Sequence, residues 1–463
     1  MIFYVSRGIM VSREFRHLLN YCTELMITLI IGFSFAYVWF TYCVPVLIAE
    51  RREFFFWGNY AIIGIYILVA FMLIQWFGGF RIGYYLIGEV CLNQFFALLA
   101  ANIVGYLLIS LAGRYYFDIK LTGMLFLMQI GIIIPVSILS RILYLRLYPA
   151  KRIIVVYGYY SPDYLIHTMS QRPDRYCIVE MIRYDMGMEV IQESVKNYDA
   201  VLLSDLPSKV RNELLKFCFE HKIQTYVTPK ISDIIITGSE PVQLFDTPLY
   251  HMNNRGLAKS EQVIKRFMDI VVSFVLLFIM SPILLVIAII IKSYDGGPVF
   301  FKQDRLTYGG RTFTMIKFRS MIEDSEVNGP QLAKEDDDRI TPFGRFLRKS
   351  HLDELPQIWN IFMGDMSFVG PRPERPEIAR EYEVSIPEFR FRLAVKGGIT
   401  GYAQVYGLYR TTPYDKLKLD LAYIVNYSIW LDIKLVAMTL RVLFDKESAA
   451  GVKEHQTTAI RED

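Results

Sequence analysis

The sequence predicts a membrane protein with three parts: four transmembrane helices, a Rossmann-like α/β module, and an α+β domain with a re-entrant membrane hairpin. Four long apolar runs open the chain, and strands alternate with helices in the segment that follows them. A fifth apolar run has cations at both ends and a proline in its middle. At 463 residues the chain is too long for one core, and 53% hydrophobic residues exceed what a soluble protein needs.

The predicted parts follow each other along the chain. The transmembrane domain is expected at 1–148, the α/β module at 149–258, the α+β domain at 259–447 with its re-entrant helix at 266–292, and a polar tail at 448–463. Each apolar run supplies roughly the 20 residues that a helix needs to cross ~30 Å of hydrocarbon. The four spans are expected near 22–48, 58–77, 86–112 and 121–143.

The distribution of cations predicts the orientation. With the N-terminus inside, the inner segments carry eight Lys and Arg residues and the outer loops carry four. Because such an excess marks the cytoplasmic side, the N-terminus is expected inside. Four spans return the chain to the same side, so both soluble parts are expected in the cytoplasm. The predicted location is therefore the cytoplasmic (inner) membrane.

Composition argues against several classes of function. The net charge of +4 carries no signal for nucleic acid. The five cysteines form no CxxC pair and are odd in number, which supports neither a disulfide framework nor a zinc site. The first apolar run is too long for a cleavable signal peptide. Polar residues within the spans are interpreted as hydrogen-bonding groups between helices rather than a transport path: Gln75, Asn93, Gln94 and Asn102.

Strands and helices alternate after the fourth span, which predicts a parallel sheet. The strands are expected at Arg152–Tyr157, Tyr176–Ile182, Asp199–Ser204 and Gln224–Thr228, with helices near 163–170, 188–197 and 208–221. The first turn has a single glycine, Gly158, where a dinucleotide-binding turn needs several. We therefore interpret the module as a scaffold or dimerisation module without a cofactor, and a homodimer remains an open alternative.

The fifth apolar run, Phe267–Ile291, has Lys265 and Arg266 before it and Lys292 after it. Ser281-Pro282 lies in its middle, and because proline removes a helical hydrogen bond, a sharp kink is expected there. Neither half is long enough to cross the bilayer alone. The flanks favour a hairpin that enters and leaves the same leaflet. The alternative is a kinked fifth span, which would place the rest of the chain outside.

A charge-rich domain follows the hairpin. Two strands are expected at Val299–Gln303 and Arg311–Phe318, and Pro356 predicts a helix that begins near Asp353-Glu354 and ends near Met363. Free N–H groups at a helix start suit anions, and two adjacent carboxylates can act as a nucleophile and as a ligand of Mg²⁺. Three cations stand just upstream: Arg345, Arg348 and Lys349. An isolated Asp-Glu pair is more often a helix cap, so it is the ordered set that indicates phosphate chemistry.

The order of the motifs resembles the monotopic phosphoglycosyl transferases, or bacterial sugar transferases, over residues 262–445. The matching motifs are the Ser-Pro hairpin, KFRSM (317–321), LDELPQ (352–357), GDMSFVGPRP (364–373) and GITGYAQV (398–405). Together with the four spans and the α/β module, they resemble the large polyprenyl-phosphate members. The resemblance implies transfer of a sugar 1-phosphate from a UDP-sugar, glucose or galactose, to polyprenyl (undecaprenyl) phosphate, the first membrane step of cell-surface polysaccharide synthesis.

The resemblance also implies roles for single residues. Asp353 matches the nucleophile that attacks the donor β-phosphorus and releases UMP, and Glu354 matches its partner at Mg²⁺. The cations expected to hold phosphates are Lys317, Arg348 and Arg372, and the pair expected to break the membrane helix is Ser281 and Pro282. The implied partners are the UDP-sugar, polyprenyl phosphate and the lipid bilayer.

Some positions depart from the family pattern or invite another interpretation. Many members of the family have an Arg where this chain has Leu408. Arg410 is a candidate replacement for it, and contacts to the donor sugar are left unassigned there. His351 is not expected to act as a base, because a carboxylate nucleophile needs none. The acidic run 335–338 is interpreted as a solvated loop. Two other functions remain as alternatives: a non-catalytic assembly or regulatory protein of a polysaccharide pathway, and a transporter of lipid-linked sugar.

Overall fold

The computed structural model describes residues 13–52, 56–159, 162–252, 256–322, 339–407 and 411–442. Several positions discussed above lie outside these ranges: the acidic run 335–338, Leu408, Arg410 and the tail 448–463. The chain forms two compact units, Met1–Thr228 and Pro229–Asp463. The first holds the N-terminal apolar helices and the α/β module, and the second holds the motif-bearing domain.

Long apolar helices open the first unit, as expected. Helix α1 (Arg13–Val38) continues through a π-helical turn (Trp39–Cys43) into α2 (Val44–Ala49), and α3 (Phe56–Phe77), α4 (Ile87–Gly113) and α5 (Ile119–Leu147) follow. Within the described ranges, five helical stretches are long and apolar enough to cross a membrane. Four of them match the predicted spans, and the fifth is the helix that contains the Ser-Pro pair.

Buried polar side chains join these helices. Gln129 donates to Ser34 Oγ (3.1 Å), and Asn102 donates to Gln129 Oε1 (2.8 Å). Tyr66 donates to Asn102 Oδ1 (3.2 Å), so each of α1, α3, α4 and α5 contributes one member. Gln94 donates to Ser137 Oγ (2.8 Å). The interpretation as hydrogen bonds between helices is thus confirmed for Asn102 and Gln94.

The α/β module contains the predicted parallel sheet, with strand order β2-β1-β3-β4. The strands are β1 (Lys151–Tyr157), β2 (Tyr176–Arg183), β3 (Ala200–Ser204) and β4 (Gln224–Val227), and the helices are α6 (Asp163–Ser170), α7 (Met188–Val195) and α8 (Ser208–Glu220). A Cβ on Gly158 would lie 1.7 Å from the Asp205 carbonyl oxygen. This glycine therefore allows the chain segments that leave β1 and β3 to approach each other.

The second unit is an α+β domain with short strand pairs. Its elements are α9 (Ile231–Thr237), β5 (Glu240–Leu244), β6 (Thr247–His251), α10 (Lys259–Asp295), β7 (Phe300–Leu306), β8 (Thr312–Phe318), α11 (Pro342–Lys349), α12 (Gln357–Met363), β9 (Ser367–Val369), α13 (Pro376–Ser385), β10 (Gly398–Thr400), α14 (Tyr402–Tyr406), α15 (Pro413–Val425) and α16 (Ile429–Val442). Strands β7 and β8 pair antiparallel, while β9 and β10 pair parallel. The predicted strand pair is confirmed, with both strands shifted by one residue at their start.

Helix α10 runs without interruption through Ser281-Pro282. The Ser-Pro pair that was expected to break this helix therefore does not end it. A single proline removes one backbone donor, and the flanking turns keep their own bonds, so a helix can bend at proline without ending. Ser281 Oγ donates to the Phe278 carbonyl in the same helix (2.8 Å).

Both ends of α10 pack against other elements of the second unit, while the middle of the helix does not. At the N-terminal end, Arg266 donates to the carbonyls of Ile361 (2.7 Å) and Phe362 (2.8 Å). At the C-terminal end, Ile287 and Ile291 are buried in one cluster with Phe318 and Leu347. Between 274 and 286 no residue is buried. This middle stretch is apolar, with side chains such as Phe278 that are 77% exposed.

Candidate active site

The Asp353-Glu354 pair lies in a 3₁₀ turn, Leu352–Glu354, between α11 and α12. Helix α12 ends at Met363 as predicted but begins at Gln357, so the prediction that the pair stands at the start of this helix is wrong. His351, just before the turn, has a φ of 55°. This left-handed conformation is uncommon outside glycine, and it changes the chain direction ahead of the two carboxylates.

Glu354 is held by two cations that come from distant parts of the sequence. Lys317 Nζ, on β8, donates to Glu354 Oε1 at 2.7 Å, and Arg372 Nη2, in the loop after β9, donates to the same oxygen at 2.8 Å. The Glu354 and Lys317 side chains are 15% and 17% exposed, whereas Arg372 is 44% exposed. Glu354 is thus a fixed, charge-compensated carboxylate with one oxygen fully used.

Asp353 has a different environment although it is the adjacent residue. It is 9% exposed, and no described residue hydrogen-bonds to its carboxylate. A helix cap would require this carboxylate to accept a hydrogen bond from a backbone N–H, and the turn has no side-chain cap bond. The structure therefore does not support a cap, and it leaves both oxygens of Asp353 available.

The pKa values of the two carboxyl groups shift in opposite directions. Burial raises the pKa of Asp353, and the charge of Lys317 opposes this rise. Burial would also raise the pKa of Glu354, but Arg372 and Lys317 outweigh it and hold that pKa well below its usual range. Two adjacent carboxyl groups with diverging pKa values indicate different roles at one site.

A side-chain amide keeps Lys317 opposite the 3₁₀ turn. Asn360, on α12, accepts from Ile316 N (3.0 Å) and donates to the Thr314 carbonyl (2.9 Å). Because these bonds join α12 to the edge of β8, the lysine on β8 and the turn that precedes α12 are held together. Asn360 is not recognisable as a site residue from the sequence, since an Asn within a helix gives no local signal of a distant partner.

The structure brings together only some of the predicted site residues. Lys317 and Arg372 meet at Glu354, as described. Arg348 donates to Ser320 Oγ (3.1 Å), and its charge acts on Asp353, so it lies beside the pair without bonding to it. Arg345 and Lys349 are exposed on α11. Ser281 and Pro282 belong to the exposed middle of α10 and make no described contact with the carboxylates.

The two carboxylates are the candidate ligands for a magnesium ion at this site. Among the described residues, no group of three or more His, Cys, Asp or Glu side chains could hold a metal. Magnesium, however, is often bound by one or two carboxylates together with substrate phosphates. Both bonds to Glu354 end on Oε1, and no described residue donates to Oε2. Glu354 Oε2 and the Asp353 carboxylate therefore fit such an ion.

A second set of buried charges stands behind Arg372. Arg392 and Asp420 are 4% and 1% exposed and form an ion pair (2.8 Å). Glu374 pairs with Lys416 (3.1 Å) and with Arg392 (3.4 Å). The sequence contains a partial signal, because Asp420 interrupts an apolar helical face and Glu374 directly follows the Pro-Arg-Pro motif. Neither residue was predicted to have a role.

Comparisons with known proteins agree with the motifs. The sequence model described as bacterial sugar transferase matches residues 260–446. The UDP-glucose:undecaprenyl-phosphate glucose-1-phosphate transferase of Xanthomonas campestris pv. campestris is 35% identical over 304 residues, which cover 62% of this chain and 61% of that protein. The UDP-N-acetylgalactosamine-undecaprenyl-phosphate N-acetylgalactosaminephosphotransferase of Aeromonas hydrophila is 36% identical over 256 residues, covering 53% of this chain and 59% of that protein.

A shorter relative is covered more completely. The UDP-glucose:undecaprenyl-phosphate glucose-1-phosphate transferase of Caulobacter vibrioides is 38% identical over 192 residues, which cover 40% of this chain and 71% of that protein. The chain spans about three fifths of the length of the Xanthomonas and Aeromonas relatives. The residues that the family model matches, 260–446, include the Asp-Glu pair and its cations. This chain belongs to the bacterial sugar transferase family.

Proposed function

We propose that this chain transfers a sugar 1-phosphate from a UDP-sugar to polyprenyl phosphate in two steps. An oxygen of Asp353 attacks the β-phosphorus of the donor, the bond to the bridging oxygen breaks, and UMP leaves. A phosphate oxygen of the polyprenyl phosphate then attacks the same phosphorus, and the Asp353 carboxylate leaves. The observation that carries this proposal is the unequal pair: Glu354 is bound by two cations, while Asp353 has no hydrogen-bond partner among the described residues.

The residues around the pair suit two anionic reactants. Lys317 and Arg372 supply positive charge where the diphosphate must lie, and Arg348 adds a third cation near Asp353. Glu354 would hold a magnesium ion, together with Asp353 in the resting state. The bound ion would offset negative charge on the diphosphate. Burial of Asp353 limits its hydration, and a weakly hydrated carboxylate is a better nucleophile than a fully solvated one. The relatives carry UDP-glucose and UDP-N-acetylgalactosamine in their names, which supports a UDP-hexose donor such as UDP-glucose or UDP-galactose.

The proposal includes a re-entrant α10, with the second unit on the cytoplasmic face. Support comes from the packing. Both ends of this helix contact other elements of the second unit, and the apolar residues in its middle are not buried against any of them. A straight helix that crosses the bilayer would carry one end ~30 Å away from the other, across the hydrocarbon. A helix that bends at Pro282 instead returns both ends to one domain and leaves its middle in lipid.

Cysteine labelling tests this topology. In a variant without the five native cysteines, Asn197→Cys and Glu381→Cys place exposed thiols in the first and second units. An impermeant maleimide is expected to label neither in intact cells and both after permeabilisation. Tyr116→Cys, 90% exposed in a predicted outer loop, is the positive control. Labelling of Glu381→Cys from outside, with Asn197→Cys protected, would mean that α10 spans the bilayer.

The activity itself is tested with purified protein, polyprenyl phosphate, Mg²⁺ and a panel of UDP-sugars, with UMP as the readout. One donor is expected to give UMP, and chelation with EDTA is expected to stop the release until Mg²⁺ is restored. Before acceptor is added, up to about one equivalent of UMP per site should appear, because the first step needs only the donor. Release that strictly requires polyprenyl phosphate would contradict the two-step route, and no release from any donor would contradict the transferase assignment.

A further inference from the structure

The loop that carries Arg372 is held at every carbonyl. The four carbonyl oxygens from Pro371 to Glu374 each accept a hydrogen bond, and the donors come from three separate elements. In chain order the donors are Gly398 N (2.9 Å), Arg392 Nη2 (3.0 Å), Arg305 Nη1 (3.1 Å) and Leu306 N (2.9 Å). Since two of the four residues are prolines, the loop can make few backbone bonds of its own. Its conformation therefore depends on these outside donors.

Arg392 donates to the carbonyl of Arg372, and the position of the Arg392 side chain depends on its ion pair with Asp420. Its guanidinium is 4% exposed and stands over the Phe389 ring, 4.8 Å from the centroid. Nη2 contacts both the Arg372 carbonyl (3.0 Å) and Asp420 Oδ2 (2.8 Å). Asp420, at 1% exposure, is the carboxylate that faces this guanidinium from α15. Asp420 is the closer of the two carboxylates that pair with this guanidinium, at 2.8 Å against 3.4 Å for Glu374. A buried cation that loses charge compensation is strongly unfavourable, so Asp420 helps to keep Arg392 in place.

The same cluster contains a second carboxylate, on Glu374, and a second cation, on Lys416. Glu374 accepts from Lys416 Nζ (3.1 Å), and Lys416 lies one helical turn before Asp420. Burial would raise the pKa of Glu374, but Lys416 and Arg392 outweigh it and lower that pKa to about 2. Helix α15 thus supplies one carboxylate and one ammonium to the back of the loop.

The space beside this cluster is too small for a substrate. The cavity lined by Arg372, Glu374 and Arg392 has a volume of about 10 Å³. This is room for about one water molecule. The buried charges therefore support the loop and do not form a further binding site.

We propose that Asp420 is a positioning residue for Arg372: through Arg392 it fixes the 371–374 loop, and so it sets where the Arg372 guanidinium stands against Glu354. The inference rests on the proposed function in assigning that guanidinium to the donor diphosphate. Asp420 touches neither reactant. Its effect on the reaction passes through two contacts, from Asp420 to Arg392 and from Arg392 to the Arg372 carbonyl.

A double-mutant cycle on UMP release tests this coupling. Asp420→Asn is expected to lower kcat/KM for the UDP-sugar by roughly tenfold or more, because Arg392 then loses the closer of its two carboxylate partners and holds the loop less firmly. In an Arg372→Lys background the same change should lower it by less than about twofold, since the guanidinium it positions is already gone. If the two losses simply multiply, Asp420 does not act through Arg372.

Two further variants separate positioning from a loss of stability. Leu417→Ala removes a fully buried side chain from the same helix, and it should lower the melting temperature without coupling to Arg372→Lys. Arg392→Lys keeps a buried cation but loses the guanidinium that joins Asp420 to the Arg372 carbonyl, and it should show the coupling of Asp420→Asn. It replaces Asp420→Asn in the cycle if that protein does not fold. Coupling of Leu417→Ala as strong as that of Asp420→Asn would overturn the inference.

A chemical measurement tests the inference without any turnover. Phenylglyoxal modifies accessible guanidinium groups, and mass spectrometry of peptides reports the rate for each arginine. In Asp420→Asn or Arg392→Lys the modification rate of Arg372 should rise severalfold, while that of Arg311, whose side chain is 63% exposed, should stay constant. An unchanged rate at Arg372 would overturn the inference. If the unaltered protein releases no UMP, the proposed function fails, and this measurement still decides whether Asp420 holds the loop.

Discussion

Asp353→Asn is expected to lower the rate of UMP release by roughly 10⁴-fold or more, because it removes the negatively charged oxygen that we propose as the nucleophile of a covalent step. The amide has nearly the same shape as the carboxylate. No described residue hydrogen-bonds to Asp353, so the substitution breaks no bond within the described structure. The melting temperature of the variant should therefore stay close to that of the unaltered protein. The lower rate of UMP release would then reflect a loss of the chemical step and not a loss of folded protein.

The adduct gives a second, independent readout. When the unaltered protein is incubated with the donor alone and quenched, mass spectrometry should find one phosphosugar on the peptide that contains Asp353. The Asp353→Asn protein should carry none. A helix cap lost to asparagine would cost about 1 kcal/mol or less and would leave the rate nearly intact. A rate within tenfold of the unaltered protein, or an adduct on another residue, would show that Asp353 is not the nucleophile.

Glu354→Gln is expected to lower the rate by about 10²-fold or more, through the cations and the metal. Both Lys317 and Arg372 donate to Glu354 Oε1, so the neutral amide leaves two partly buried cations without their shared counter-charge. Their side chains should then shift away from the positions in which they face the diphosphate. The amide is also a weaker ligand for magnesium, so excess Mg²⁺ should restore part of the activity.

The control for this variant is an acid outside the site. Glu377→Gln removes an exposed carboxylate from the first turn of α13, and its activity should match that of the unaltered protein. The apparent Mg²⁺ requirement should rise in Glu354→Gln and stay constant in Glu377→Gln. Full activity of Glu354→Gln at low Mg²⁺ would show that neither the metal nor the two cations depend on this carboxylate.

The elements of the fold were largely predictable, because local signals carry them. Four apolar runs became helices close to their predicted bounds, and the four strands of the α/β module differ from prediction by one residue at most at either end. The two exceptions involve backbone geometry. Asp353 and Glu354 lie in a 3₁₀ turn that precedes α12, and α10 remains one helix through Pro282. Propensity marks a proline as a place where a helix can end or bend, and packing decides between the two.

The sequence by itself identified the side chains that we propose carry the chemistry: the adjacent carboxylates Asp353 and Glu354, and the cations Lys317, Arg348 and Arg372. Only the tertiary structure decided how these groups are shared, since Lys317 and Arg372 both bond to Glu354 and leave Asp353 unbonded among the described residues. Adjacent residues have the same local sequence, so their different partners follow from which distant segments pack against each side of the turn. The dependence of the Arg372 loop on buried charges from α15 arises in the same way.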